Sequence, residues 1–124
     1  MELSEFERRV IDVMITGDPE EVVLREQLRV ATVSERDYTG VGVFVKLDIP
    51  ESVMRTEMTN RFIQTTPMAF LSHPKLPRGA QAMLWFDQAL MNTLECMTFD
   101  GHDWPKDESN FVAEPYGPIV TNDA

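Results

Sequence analysis

Cys96 is the one cysteine in a chain of 124 residues, so little sulfur chemistry is open to it. A lone thiol excludes an internal disulfide framework and any zinc or iron–sulfur site built from several cysteines. Basic residues are also scarce. Eleven Lys and Arg stand against twenty-one Asp and Glu, giving a net charge of −10 and a pI near 4.5. Such a balance argues against nucleic acid and anionic membrane surfaces as partners, since both are bound through cations. No run approaches the roughly 18 apolar residues of a membrane span. Met1 to Arg9 mix acids and bases without the apolar core of a secretory signal, and the end at Ala124 matches no lipidation or retrieval signal. The expected location is a bacterial-type cytoplasm, where one free thiol stays reduced. With 43% hydrophobic residues the chain can bury a core, and one domain over 1–124 is expected.

Two helices are predicted over about 4–31. Ser4 and Glu7 form a capping box, and Leu3, Phe6, Val10, Val13 and Met14 follow at helical spacing up to Gly17. Asp18-Pro19-Glu20-Glu21 supplies a cap, a first-turn proline and acids at the positive end of a second helix. Leu24, Leu28 and Ala31 would form its inner face, flanked by Val22 or Val23.

The period then changes to two. Val41, Val43, Val45, Leu47 and Ile49 alternate with Gly42, Phe44, Lys46 and Asp48, which predicts a strand paired with residues 30–38 through a turn at Thr39-Gly40. Loop and one strand, around Phe62 to Thr66 before Pro67, are expected over about 50–79, and a loop over His73 to Gly79. A hairpin over about 80–99 turns at Asp87-Gln88-Ala89. Residues 100–124 read as an irregular acidic tail, with room for one short edge strand near Phe111. The fold class is α+β: two N-terminal helices on an antiparallel sheet of four to five strands.

The reactive side chains are few. Asp100-Gly101-His102-Asp103, with Asp107 and Glu108, gathers oxygen ligands, but at neither EF-hand nor two-histidine zinc spacing, so no metal site and no cofactor is expected. Cys96 shares a strand face with Leu94, the setting of a buried and inert thiol, and no catalytic residue is assigned. Glu95 falls on the opposite face of the same apolar strand. A structural pairing with Arg55, Arg61, Arg78 or Lys46 is expected for it. The alternative is a pocket between sheet and helices in which Glu95 works with His73 or His102. Gly40 and Gly42 precede a strand, whereas phosphate-cradling glycines precede a helix.

Two blocks carry a family resemblance. Tyr38-Thr39-Gly40-Val41-Gly42-Val43-Phe44, and Leu94-Glu95-Cys96-Met97-Thr98-Phe99-Asp100 followed by Trp104-Pro105, resemble blocks in small, mostly uncharacterised bacterial proteins of this length. Members more usually have a small residue and then an aromatic where Cys96 and Met97 stand. The resemblance therefore implies a packing position for Cys96. It implies the fold and a bacterial cytoplasm, and carries no activity onto Glu95 or Trp104.

Charge layout points furthest towards function. Thirteen acids and ten bases precede Gly79; eight acids and one base, Lys106, follow it. In that acidic part stand Trp104, Phe111 and Tyr116, aromatic types that anchor interfaces. The expectation is a small protein-binding or inhibitory protein, such as an immunity protein neutralising a basic antibacterial toxin. Asp100, Asp103, Asp107 and Glu108 would meet the partner, with Trp104 as anchor. A small-ligand protein or enzyme using Glu95 is the first alternative, and a homo-oligomeric structural protein the second.

Overall fold

The polypeptide enters through a pair of reciprocal hydrogen bonds. Ser4 Oγ accepts from the Glu7 amide at 3.1 Å, and the Glu7 carboxylate accepts from the Ser4 amide at 2.8 Å. In this computed structural model, which describes residues 1–57 and 66–116, that box starts α1, Glu5–Ile15. Phe6, Val10, Ile11, Met14 and Ile15 make its buried stripe. Helix α2, Glu21–Val30, starts later than its sequence suggests. Asp18 does not cap it: its Oδ1 accepts from the Glu20 amide and its carbonyl from that of Glu21, closing a turn ahead of the helix. A short carboxylate favours such a local turn over continuing helix. Leu24 and Leu28 face the core and Val22 faces solvent.

Among the described residues six antiparallel strands follow, rather than four or five: β1 Thr32–Tyr38, β2 Gly42–Asp48, β3 Met68–His73, β4 Leu76–Asp87, β5 Leu90–Thr98 and β6 Val112–Pro115. Their spatial order is β1-β2-β5-β4-β3-β6. The strand expected around Phe62 to Thr66 falls on residues of which 62–65 lie outside the described ones; β3 begins just after Pro67. Pro67 has no amide to give a ladder, but its carbonyl accepts from the Leu84 amide at 3.1 Å. The loop expected over His73 to Gly79 shrinks to a turn at Pro74 and Lys75, and β4 runs through Pro77 and Gly79. Residues 100–116 are more ordered than an irregular tail, with a 3₁₀ turn at Glu108–Asn110 and then β6 at the sheet edge.

Alternation gives the sheet two unlike faces. One carries Val43, Val45, Leu71, Ala82, Leu84 and Leu94 into a single core with the helix stripes. Helix α1 lies over β3, β4 and β6, and α2 over β5. Two buried polar residues bind the layers. Glu7 accepts from Arg36 Nε at 2.6 Å and Nη2 at 2.9 Å, joining α1 to β1. Gln27, fully buried, donates from Nε2 to the Met54 and Ala89 carbonyls and accepts the Met91 amide on Oε1. Gly42 lets β2 approach β5 closely, since a Cβ there would fall 2.0 Å from the Cys96 carbonyl oxygen. Both edges oppose strand addition. Met1 bonds Val33 on β1, where the ladder is irregular between Val33 and Glu35, and β6 is four residues ending in Pro115.

Candidate functional site

The second alternation class, Phe44, Glu95, Met97 and Phe70 among it, points away from the helices; no described helix or strand packs over it, though Met83 beside Glu95 is buried. Phe44, Met97, Phe99 and Tyr116 are each between 36% and 43% exposed, which is high for large apolar side chains on one surface. Phe70, Phe99 and Tyr116 form a cluster there, with ring centroids 6.1–6.3 Å apart. Cross-strand register sets Glu95 between Phe44 on β2 and Met83 on β4, near the middle of the sheet. Its Oε1 accepts from the indole Nε1 of Trp85 at 2.8 Å.

The Glu95 side chain has an indole partner, and among the described residues no ion pair joins it to Arg55, Arg78 or Lys46; Arg61, the other expected partner, lies outside the described residues. Nor does Glu95 meet a histidine. His73 is buried, accepts the Lys75 amide on Nδ1 at 3.0 Å and turns Nε2 to the Asp107 carbonyl at 3.2 Å. Its ring packs on Phe111, with centroids 4.8 Å apart. His102 is exposed, with Nδ1 2.8 Å from Asp100 Oδ1. No described hydrogen bond joins Glu95 to His73 or His102.

The acids after β5 belong to a loop folded against the closed end of the β1–β2 hairpin. The Trp104 amide donates to the Gly40 carbonyl at 2.8 Å, and Thr98 Oγ1 donates to the His102 carbonyl at 3.0 Å. Trp104 is not an exposed anchor. It is 9% exposed, stacks on Phe111 with centroids 4.8 Å apart and meets Phe6 edge-on. Three of the four acids assigned to a partner are engaged within the chain. Glu108 Oε2 accepts from Trp104 Nε1 at 2.8 Å and from the Tyr38 hydroxyl at 3.3 Å. Burial, reinforced by the Glu108 charge, raises the Tyr38 pKa. Asp107 accepts from the Asn110 side chain at 2.7 Å, the first cause of its lowered pKa. Burial opposes the Asp100 carboxylate, but His102's ring and amide outweigh it and lower the pKa. Asp103 is exposed, with no partner among the described residues.

Cys96 is fully enclosed, and burial drives its thiol pKa far up, with Glu108, Glu7 and Glu95 adding in the same direction. The described residues contain no cluster of three or more metal-ligating side chains, and no described helix is long and apolar enough to cross a membrane. No family model, curated protein or solved structure matches the chain.

Sequence reasoning placed Glu95 on its face but missed the company it keeps. Phe44 and Phe70 carried the signal, as large apolar residues at the outward positions of alternating strands. Trp85 carried none, because its run read as apolar on both faces.

Proposed function

We propose that this chain is a small acidic cytoplasmic protein that binds, and by covering inhibits, a basic protein partner, in the manner of an immunity protein against an antibacterial toxin. The sheet face turned away from the helices is the contact surface and Glu95 its central acceptor. One observation carries this reading: a carboxylate held by an indole sits beside the exposed Phe44 and Met97. An apolar patch with a pre-oriented charge at its middle has the anatomy of an interface centre, where a partner's lysine or arginine is desolvated and paired. Glu35, Asp37 and Glu114 occupy outward positions of the two edge strands, so the rim is acidic as well, with Lys46 beside Glu35. The acids of residues 100–108 strengthen the field that steers a cationic partner, most of them without being free to touch it.

A second copy fits this face less well. In an isologous dimer the acidic face would meet itself, bringing like charges together. The kinship with small bacterial proteins, proposed on the Tyr38–Phe44 and Leu94–Asp100 blocks, adds no activity to this reading.

The test is affinity for the purified basic protein that the chain captures from its host. Glu95→Gln keeps an acceptor for Trp85 and removes the charge, so it should weaken binding by about tenfold or more. Met97→Asp should abolish binding, while Asp103→Asn should change it less than about twofold. Capture of no basic protein, or unchanged affinity in both face variants, contradicts the reading. Oligomers that dissociate on Met97→Asp would instead identify a second copy as the occupant and equally overturn it.

A further inference from the structure

Glu108 borders a second feature, apart from the sheet face. Between the β1–β2 turn and the loop after β5 lies a cavity of about 370 Å³, lined by Tyr38, Gly40, Trp104, Pro105, Lys106 and Glu108. Two aromatic rings and a proline make its walls. Polar function converges on one group, the Glu108 carboxylate. Trp104 Nε1 and the Tyr38 hydroxyl both donate to its Oε2, which fixes its position, and Oε1 has no described hydrogen bond. The Gly40 carbonyl, the other acceptor at hand, is taken by the Trp104 amide. Trp104 is in turn held by Phe6 and Phe111, so the wall is braced from behind.

A carboxylate pinned by two donors, within aromatic and proline carbon, matches one ligand chemistry. Its charge selects a cation, its open oxygen accepts N–H donors, and the rings favour a weakly hydrated head on an aliphatic stem. We infer that this cavity binds an alkylammonium or guanidinium group, the tip of a lysine or arginine side chain or a free amine of that kind. Lys106 stands exposed on the cavity wall, where its positive charge repels a second cation. Its removal therefore tightens binding. No lining residue of this cavity lies on the sheet face proposed as the contact surface, so failure of either leaves the other intact.

The test follows the two tryptophan indole N–H resonances by NMR while N-acetyl-lysine amide, N-acetyl-arginine amide or a free diamine is added. The Trp104 signal should move and saturate at millimolar ligand, and the Trp85 signal should stay in place. Glu108→Gln, which retains an acceptor for both donors, should weaken binding by about tenfold, and Lys106→Met should strengthen it. Comparable affinity for the capped amino acids and the diamine assigns the site to a side chain; markedly tighter diamine binding assigns it to a free amine. A Trp104 signal unmoved by every cation, or moved equally by the neutral N-acetyl-norleucine amide, overturns the inference.

Discussion

Trp85 donates its indole proton to Glu95 along a diagonal of the β4–β5 pair, on the face of the sheet turned away from the helices. The bond gives a half-buried carboxylate a fixed direction, and the neutral indole donor does so without bringing a positive charge to the face.

Gln27 is the most demanding polar residue in the core, since three backbone groups depend on its one side chain. Gln27→Leu keeps similar bulk but strands the buried Met91 amide. The expected loss of stability is about 2–4 kcal/mol, measured by urea unfolding. A loss below about 0.5 kcal/mol would mean that these bonds contribute little.

The β4–β5 turn is built from residues that suit it poorly. Gln88 and Ala89 have φ of 53° and 67°, the two left-handed positions of a tight hairpin turn. They are held by Arg55 Nη1 on the Gln88 carbonyl at 2.6 Å and by Gln27 and Thr56 on the Ala89 carbonyl. Replacing the pair by Asn-Gly should stabilise the protein by about 1 kcal/mol, read as a raised melting temperature. A lowered melting temperature would show that the Ala89 methyl packs for more than its backbone costs.

Much of this organisation was legible in the sequence because its causes are local. Ser4 and Glu7 lie three residues apart, the inward valines of β2 alternate, and Asp87 to Ala89 interrupt two apolar runs. The rest depends on contacts between distant segments. Asp18 looks like a cap until its carboxylate closes a turn with Glu20. The neighbours of Glu95 follow from β5 lying between β2 and β4, which no local pattern encodes. Trp104 reads as a surface anchor on composition, and only packing by Phe6 and Phe111 turns it inward.

Cys96 should behave as a packing residue. With its thiol enclosed and its pKa raised by burial, a thiol reagent at neutral pH should label it only through unfolding. Labelling should be complete in denaturant and should track the unfolding equilibrium in water. Reaction of the native protein at the rate of a free thiol would reopen a nucleophilic role.

Acid should weaken the helical pair and the loop after β5. Glu21 is lowered by the Gly17 amide and then by Arg25, Glu26 by Arg29, and Asp107 by Asn110. A carboxylate with a depressed folded pKa favours the folded state above its unfolded pKa, and that advantage disappears as pH falls through the folded value. Melting temperature should therefore hold near neutrality and fall below about pH 4.5. A melting temperature that rises on acidification would contradict these pairings.

The central claim is that a basic partner covers the face bearing Glu95. Methyl-labelled methionine NMR of the complex tests it most directly, because Met97 is exposed on that face and Met83 is buried beside Glu95 on it, while Met14 and Met91 lie in the core against the helices. Saturating partner should shift Met83, Met97 and the Trp85 indole and leave Met14 and Met91 in place. Shifts confined to the Trp104 indole, with Met83 and Met97 unmoved, would contradict the account and assign the partner to the loop after β5.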